Sequence, residues 1–435
     1  MHLDEKVQIN QHDINHHEIK QHDINHHDIK HYDIAILGGG LAGLSLAVEF
    51  CAPHFSHLNI VIIEPRAEYR RDKTWSYWRQ QSQNNNEHFN FAYSEQECAT
   101  WPAWRLESAT QATQTHTTKA DSYIYASINS DAFYQAALAK IQACGHITLL
   151  QNNMVDSMRS EGDKVVLALK NATNMVINQF VFDSRPANNV QSNAHVEHKH
   201  LTQHFLGLEV IANNAIFDTQ YVDLMQFQAA KHGIHFMYVL PYSPTRALIE
   251  STWICSHHHH NDYTQELNQY LNKRWPNTQF EIAYTEAGSL PLMAAKNNTY
   301  WLGSVQVIPI GSLAGTARAA TGYAFLETLK DNQRLADAVK NQQLHNKQLI
   351  PNISQPIASF KRNVLDAWMD TLFLTFLSKN AALGPHYFVQ MFARCQPASL
   401  IRFLSGSANM VDRLKVIWAM PSLPMIKHAF GYYFK

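Results

Sequence analysis

In DIAILGGGLAGLSLA, residues Asp33–Ala47, a short apolar run enters three consecutive glycines and then a small-residue helical pattern. The chain has only 16 glycines, so such clustering is informative. Gly38, Gly40 and Gly43 spell G-x-G-x-x-G directly after a predicted strand, Tyr32–Leu37, and open a predicted helix, Leu41–Phe50. In this pattern Gly38 permits the tight turn, Gly40 lets the backbone approach a pyrophosphate, and Gly43 allows close helix–strand packing. The helix N-terminus then turns the positive end of its dipole toward the phosphate. A second apolar strand, Asn59–Glu64, ends on Glu64, the expected distance on for an acid that accepts hydrogen bonds from a ribose. These residues predict a nucleotide-binding βαβ unit, without deciding between NAD and FAD.

Downstream, Ser130 is a suitable N-cap for an amphipathic helix over Asp131–Cys144. Strand patterns follow at Ile147–Leu150, Lys164–Leu169, Val176–Phe182 and Phe205–Ile211. Glycine returns as a cluster within Gly303–Gly322, and beyond residue 323 the pattern is helical almost to the end. The expected fold is α/β (α+β): a Rossmann-like dinucleotide domain interleaved with a β-sheet substrate lobe, plus a helical C-terminal region. The expected ranges are 32–145 with 296–330 for the discontinuous first domain, 146–295 for the lobe and 331–435 for the helices. Residues 1–31 stand apart. QHDINHHEIK (Gln11–Lys20) and QHDINHHDIK (Gln21–Lys30) form a tandem repeat whose isoleucines recur every five positions, matching neither helix nor strand, so a disordered tail is expected.

Composition narrows the function. Lys plus Arg (35) nearly cancels Asp plus Glu (36), which argues against a nucleic-acid partner. The five cysteines are scattered without CxxC spacing, so neither a disulfide framework nor a zinc site is expected. HHHH (His257–His260) reads as a solvated loop, and no metal ligand set is assigned. There is no run of about 20 apolar residues and no basic region leading into an apolar core at the N-terminus. A cytoplasmic protein is expected, with contact to a membrane surface left open.

The chemistry-bearing segment is HFMYVLPYSPTRALIESTW, His235–Trp253. Two apolar β-favouring runs flank a Pro-Tyr-Ser-Pro-Thr breaker, which predicts a hairpin. Its second run carries one carboxylate, Glu250, among Leu248, Ile249 and Trp253. An acid in apolar surroundings has its charged form disfavoured and holds its proton near neutrality, which suits a general acid.

The late glycine cluster, Gly303–Phe325, resembles the loop in FAD-containing oxidoreductase-like proteins where backbone amides meet the flavin and its phosphates. Gly311, Gly315 and Gly322 are then the close-approach positions, and Ser312 stands where such loops often carry an Asp. More particular segments are KTWSYW (Lys73–Trp78), VFDSRP (Val181–Pro186), HFLGLEV (His204–Val210) and FDTQYVDLMQF (Phe217–Phe227). FMYVLPYSPTRALIEST (Phe236–Thr252), ATGYAF (Ala320–Phe325) and MPSLP (Met420–Pro424) complete the set. In this order, and over essentially all of residues 32–435, the chain resembles bacterial lycopene β-cyclases of the flavoprotein type.

That resemblance implies acid-catalysed, non-redox closure of the ψ-ends of lycopene to β-ionone rings. It implies reduced FAD as cofactor, NAD(P)H as reductant and Glu250 as the essential acid. Glu209 of HFLGLEV is then a candidate for charge support or proton return, and Trp75 and Tyr77 for lining a polyene tunnel or shielding the flavin. A bilayer-soluble substrate implies peripheral membrane contact, with Val364–Leu377 and Lys427–Lys435 as the candidate segments. Alternatives are an FAD-dependent monooxygenase and a non-catalytic flavoprotein or carotenoid carrier. One-end or two-end cyclisation, β or ε ring, oligomeric state and the base that takes the final proton stay open.

Overall fold

Ile34–Leu37 and Ile60–Ile63 are buried on both faces, as parallel strands covered on both sides require. A computed structural model describes residues 29–81, 93–108, 114–120, 122–186, 201–256, 262–293, 298–347 and 356–420. Most of the His-rich repeat, HHHH and 427–435 lie outside these residues. Strands Val305–Pro309, Met175–Asp183, Lys30–Leu37, Ile60–Ile63 and Ile147–Leu150 run parallel in that spatial order. Ile34 and Ile36 face a core shared with helices Leu41–Phe50, Ser130–Cys144 and Phe325–Lys347. Ala35 and Leu37 face the opposite core, closed by the antiparallel hairpin Val155–Glu161/Lys164–Leu169. This alternation between two cores is the strand period of two, applied to an element with no solvent face.

The second sheet has seven strands in the order Phe280–Pro291, Thr202–Ala212, Arg246–Cys255, Ile234–Ser243, Tyr221–Gln228, Ala103–Ser108, Gln114–Lys119. The predicted hairpin is its centre: Ile234–Ser243 and Arg246–Cys255 pair antiparallel across a turn at Pro244–Thr245. Ala247 and Ile249 face helix Tyr263–Arg274, whereas Leu248 and Ile254 face the opposite side. That opposite side is roofed by helices Val364–Lys379, Gly384–Arg394, Pro397–Leu404 and Met410–Ala419. Glu250 shares the parity of Leu248 and Ile254, so the pleat turns it inward beneath the roof and away from water. A small third sheet, Thr74–Gln80, Tyr123–Asn129 and Glu97–Trp101, bridges the two larger ones.

Pairing shifts the boundaries expected from the sequence. Ile147–Leu150 and Val155–Asp183, placed in the 146–295 lobe, belong to the first sheet. Ala103–Ser108 and Gln114–Lys119, placed in the first domain, pair in the second sheet, the former beside Tyr221–Gln228. Helix Phe325–Lys347 packs in the first core, so the roof over the second sheet starts at Val364. A strand's apolar pattern states that it will be covered but does not name its partner. Ser130 also has another role: it is the first helical residue, and Asn129 is the N-cap. Its Oγ accepts the backbone N–H of Asp72 at 2.9 Å and of Lys73 at 3.1 Å, and donates to Asp72 Oδ1 at 2.9 Å.

Candidate active site

A glycine-walled cradle forms where strand Lys30–Leu37 passes into helix Leu41–Phe50. Gly38 turns the chain at φ +95°, and Gly40 is the N-cap, where no side chain caps the helix. The first turn carries no acid either, so its free amides and partial positive charge are left for an anionic ligand. A Cβ at Gly43 would lie 1.8 Å from the Gly38 carbonyl oxygen, so only glycine lets the helix lie this close. Glu64, buried at the end of its strand, accepts the Gly39 N–H at 2.5 Å and Arg66 Nε at 2.8 Å. Arg66 Nη2 in turn donates to the Gly39 carbonyl at 3.0 Å. The buried Tyr69 hydroxyl also points at this turn and has no partner among the described residues, a gap that a bound ribose or phosphate oxygen would fill.

The second glycine loop closes on the same helix end. Gly311, at φ +62°, begins the short helix Gly311–Ala314, and a Cβ on it would lie 2.6 Å from that of Ala42. Gly315 closes this turn, and Gly322 sits against Leu290 on a cavity wall. Asn332 fastens the arrangement by donating to Ala42 O at 2.8 Å and Ser45 Oγ at 2.6 Å. Two loops far apart in sequence thus converge on one uncapped helix end, and the residues fit the phosphates and ribose of FAD.

From the second loop a cavity of about 650 Å³ runs between the second sheet and its helical roof. Ser312 and Gly322 lie at the loop end, Phe373, Phe388 and Phe392 under the roof. Glu250 lines it, and so does Glu286 from the edge strand Phe280–Pro291. Both are opposite Gly207 on the strand between them. A Cβ at Gly207 would lie 2.9 Å from Glu250 Cγ and 3.2 Å from Glu286 Cγ. The two carboxyls therefore reach each other over a position with no side chain, and they hydrogen-bond. Burial, then the neighbouring Glu286, pushes Glu250 well above the usual carboxylate range, so it holds its proton near neutrality. Thr74 Oγ1 donates to Glu286 Oε2 at 2.9 Å.

Tyr238 is directly opposite Glu250 on the neighbouring strand. Its hydroxyl bonds that of Tyr125 at 2.9 Å, which bonds that of Tyr323 at 3.2 Å. Trp78 completes this aromatic wall, its ring centroid 4.8 Å from that of Tyr125 and 5.0 Å from that of Tyr323. Burial holds all three phenols well above their ordinary range, so the wall is uncharged.

Residues 33–430 match the family model described as lycopene cyclase protein. The chain belongs to the lycopene cyclase protein family. A lycopene beta-cyclase of Paracoccus sp. is 23% identical over 237 residues, 52% of this chain and 59% of that protein. Another, of Pantoea ananas, is 25% identical over 216 residues, 45% of this chain and 50% of that one. The chain thus spans about half the length of the curated relatives it matches. Among solved structures, a geranylgeranyl bacteriochlorophyll reductase-like protein from Thermoplasma acidophilum aligns with a TM-score of 0.59 at 13% identity, covering 92% of this chain and 99% of that one. The flavin-dependent brominase Bmp2 aligns at 0.57 and 15%, covering 93% and 99%. At such identities the likeness is one of fold.

In this lycopene cyclase family member the other expected site residues separate clearly. Glu209 lies off the cavity, wholly buried and held between Arg71 and Arg246. With both oxygens facing guanidinium groups it acts as an anchor. Trp75 lines the cavity and meets Phe133 edge-on at 5.4 Å, whereas Tyr77 is core, stacked on Phe325 at 4.8 Å with its hydroxyl on Glu97. The polar strip of Val364–Leu377 points inward: Asp366 binds Arg413, and Asp370 binds Arg318. Glu286, Gly207 and Arg66 were not singled out from the sequence. The only signal for Glu286 was an acid in a β-pattern downstream of the hairpin, in a strand otherwise rich in exposed residues.

Proposed function

We propose that this protein is a lycopene β-cyclase that binds FAD in the cradle between the two glycine loops. The observation that carries this reading is Glu250: a neutral carboxylic acid in a largely apolar cavity with an aromatic wall, with no cationic partner among the described residues. Protonating an unactivated alkene needs such a desolvated acid. Glu250 would donate its proton to the terminal double bond of a ψ-end. The resulting tertiary cation closes on the neighbouring double bond, and loss of a ring proton leaves the β-ionone ring. Trp78, Tyr125, Tyr238 and Tyr323 would offer the cation π-faces without a competing nucleophile. Bound in reduced form, with NAD(P)H as the electron source, FAD would supply negative charge beside the cation with no net electron transfer.

Access from a lipid surface follows from the rim. Trp368 and Ile417 both line the cavity and reach the surface, 37% and 40% exposed. On the Ile417 helix, Leu414 and Trp418 extend the apolar face, at 50% and 84%. No described helix is long and apolar enough to cross a membrane. A peripheral seat at the cytoplasmic face, with this rim against the acyl boundary, would let a polyene enter without crossing water.

The test is expression in lycopene-accumulating cells beside Glu250→Gln, with pigments resolved by chromatography and mass. The expected result is a ringed product of unchanged mass from the parent and none from the variant. A product heavier by oxygen would favour a monooxygenase. Unchanged lycopene with folded, flavin-loaded parent would refute the cyclase reading.

A further inference from the structure

Glu286 is the one buried residue of an edge strand that is otherwise exposed or half-buried, and it is a carboxylate. Burying a charged acid costs several kcal/mol unless its lone pairs are met. Here three donors are in place: Thr74 Oγ1, the Tyr284 hydroxyl and, across Gly207, the Glu250 carboxyl. Arg71, whose charge acts on Glu286, makes its ion pair with Glu209. Around the pair stand phenols, Tyr238 facing Glu250, and Tyr242 and Tyr284 facing Glu286, while Asp72 and Lys73, themselves an ion pair, line the same cavity. Glu286 thus keeps an accepting oxygen on the cavity beside the acid, with no guanidinium locked onto it among the described residues.

Resting on the cyclase reading, we propose that Glu286 is the proton acceptor that ends ring closure and returns the proton to Glu250. The pair starts with one proton, on Glu250. The Glu250 O–H bond breaks as a C–H bond forms on the terminal alkene carbon, leaving two carboxylates beside one carbocation. Ring closure makes the new C–C bond and moves the cation to the next carbon. The adjacent ring C–H bond then breaks; its electron pair becomes the ring double bond and its proton bonds to Glu286. Transfer along the Glu286–Glu250 hydrogen bond restores the first state. One proton enters and one leaves the substrate, so product and substrate are isomers and no oxidant or reductant is consumed.

The experiment runs flavin-loaded parent, Glu286→Gln and Glu286→Asp with lycopene in D2O, reading β-ring formation and deuterium in recovered linear substrate. Gln keeps a hydrogen-bonding partner for Glu250 but cannot take a proton. The expected result for Glu286→Gln is a loss of β-ring formation of ~100-fold or more. Its recovered lycopene should gain deuterium at the chain ends, because protonation still occurs and reverses. Glu286→Asp should recover part of the rate. β-Ring formation near the parent rate in Glu286→Gln would overturn the proposal. So would loss of both product and deuterium entry in a folded, flavin-loaded variant, which would assign Glu286 to the protonation step. A parent that leaves lycopene unchanged overturns the cyclase reading itself, and is told apart because it fails before any variant is compared.

Discussion

Gly207→Ala probes the carboxyl pair without touching either carboxyl. The new Cβ would meet Glu250 Cγ at 2.9 Å, Glu286 Cγ at 3.2 Å and Leu248 Cδ1 at 3.3 Å. Comfortable carbon contacts begin at about 3.5 Å, so the Glu250 side chain must retreat by roughly 0.6 Å or more, and Glu286 by about half of that. Overpacking of this kind costs about 1–3 kcal/mol, of which the removal of a flexible glycine from a strand offsets about 0.5–1 kcal/mol. The net destabilisation should lower the melting temperature by only a few degrees. Catalysis is far more sensitive, since a displacement of about 1 Å can cost 10²-fold. We therefore expect a loss of roughly 30- to 100-fold in initial β-ring formation, with flavin content unchanged, measured by chromatography beside a thermal melt. A rate within about threefold of the parent would refute the argument that the acids act as a touching pair over Gly207.

Three further outcomes follow from the same structure. Glu209→Gln should leave Arg71 buried without its ion pair and destabilise the fold by about 3 kcal/mol, read as a drop in melting temperature, while surviving folded enzyme retains deuterium entry into lycopene. Burial lowers His235 to about 4, against the opposing charge of Glu266. Its unfolded value is higher, so its contribution is complete above about 6.5 and is lost as pH falls from there through about 4, up to ~3 kcal/mol; His235→Asn should flatten the fall in melting temperature over that window, and an unchanged slope would count against it. Leu414→Asp with Trp418→Asp, both on the exposed face beside the cavity mouth, should cut recovery with floated liposomes several-fold and leave the melting temperature within a few degrees.

The features legible in the sequence are those whose physics is local. The turn at Gly38–Gly43 joins a strand to the next helix, and the 1.8 Å approach of a Cβ at Gly43 to Gly38 is a contact within one βαβ unit. The hairpin around Pro244 was legible for the same reason, and with it the apolar setting of Glu250. Tertiary structure alone decided what depends on partners distant in the chain. Glu209 and Glu250 stand in similar apolar strands and on the same face of the sheet, yet one meets Arg71 and Arg246 and the other a cavity, because Glu209 pairs with Leu248, two residues nearer the hairpin turn, where Arg246 stands. Glu286 is silent in its strand until pairing sets it across Gly207 from Glu250. The assignment of Ile147–Asp183 and of the strands Ala103–Ser108 and Gln114–Lys119 to their sheets is likewise a matter of non-local pairing. A strand pattern encodes which side chains must leave water, whereas the neighbour that covers them is chosen by the energy of the whole assembled core.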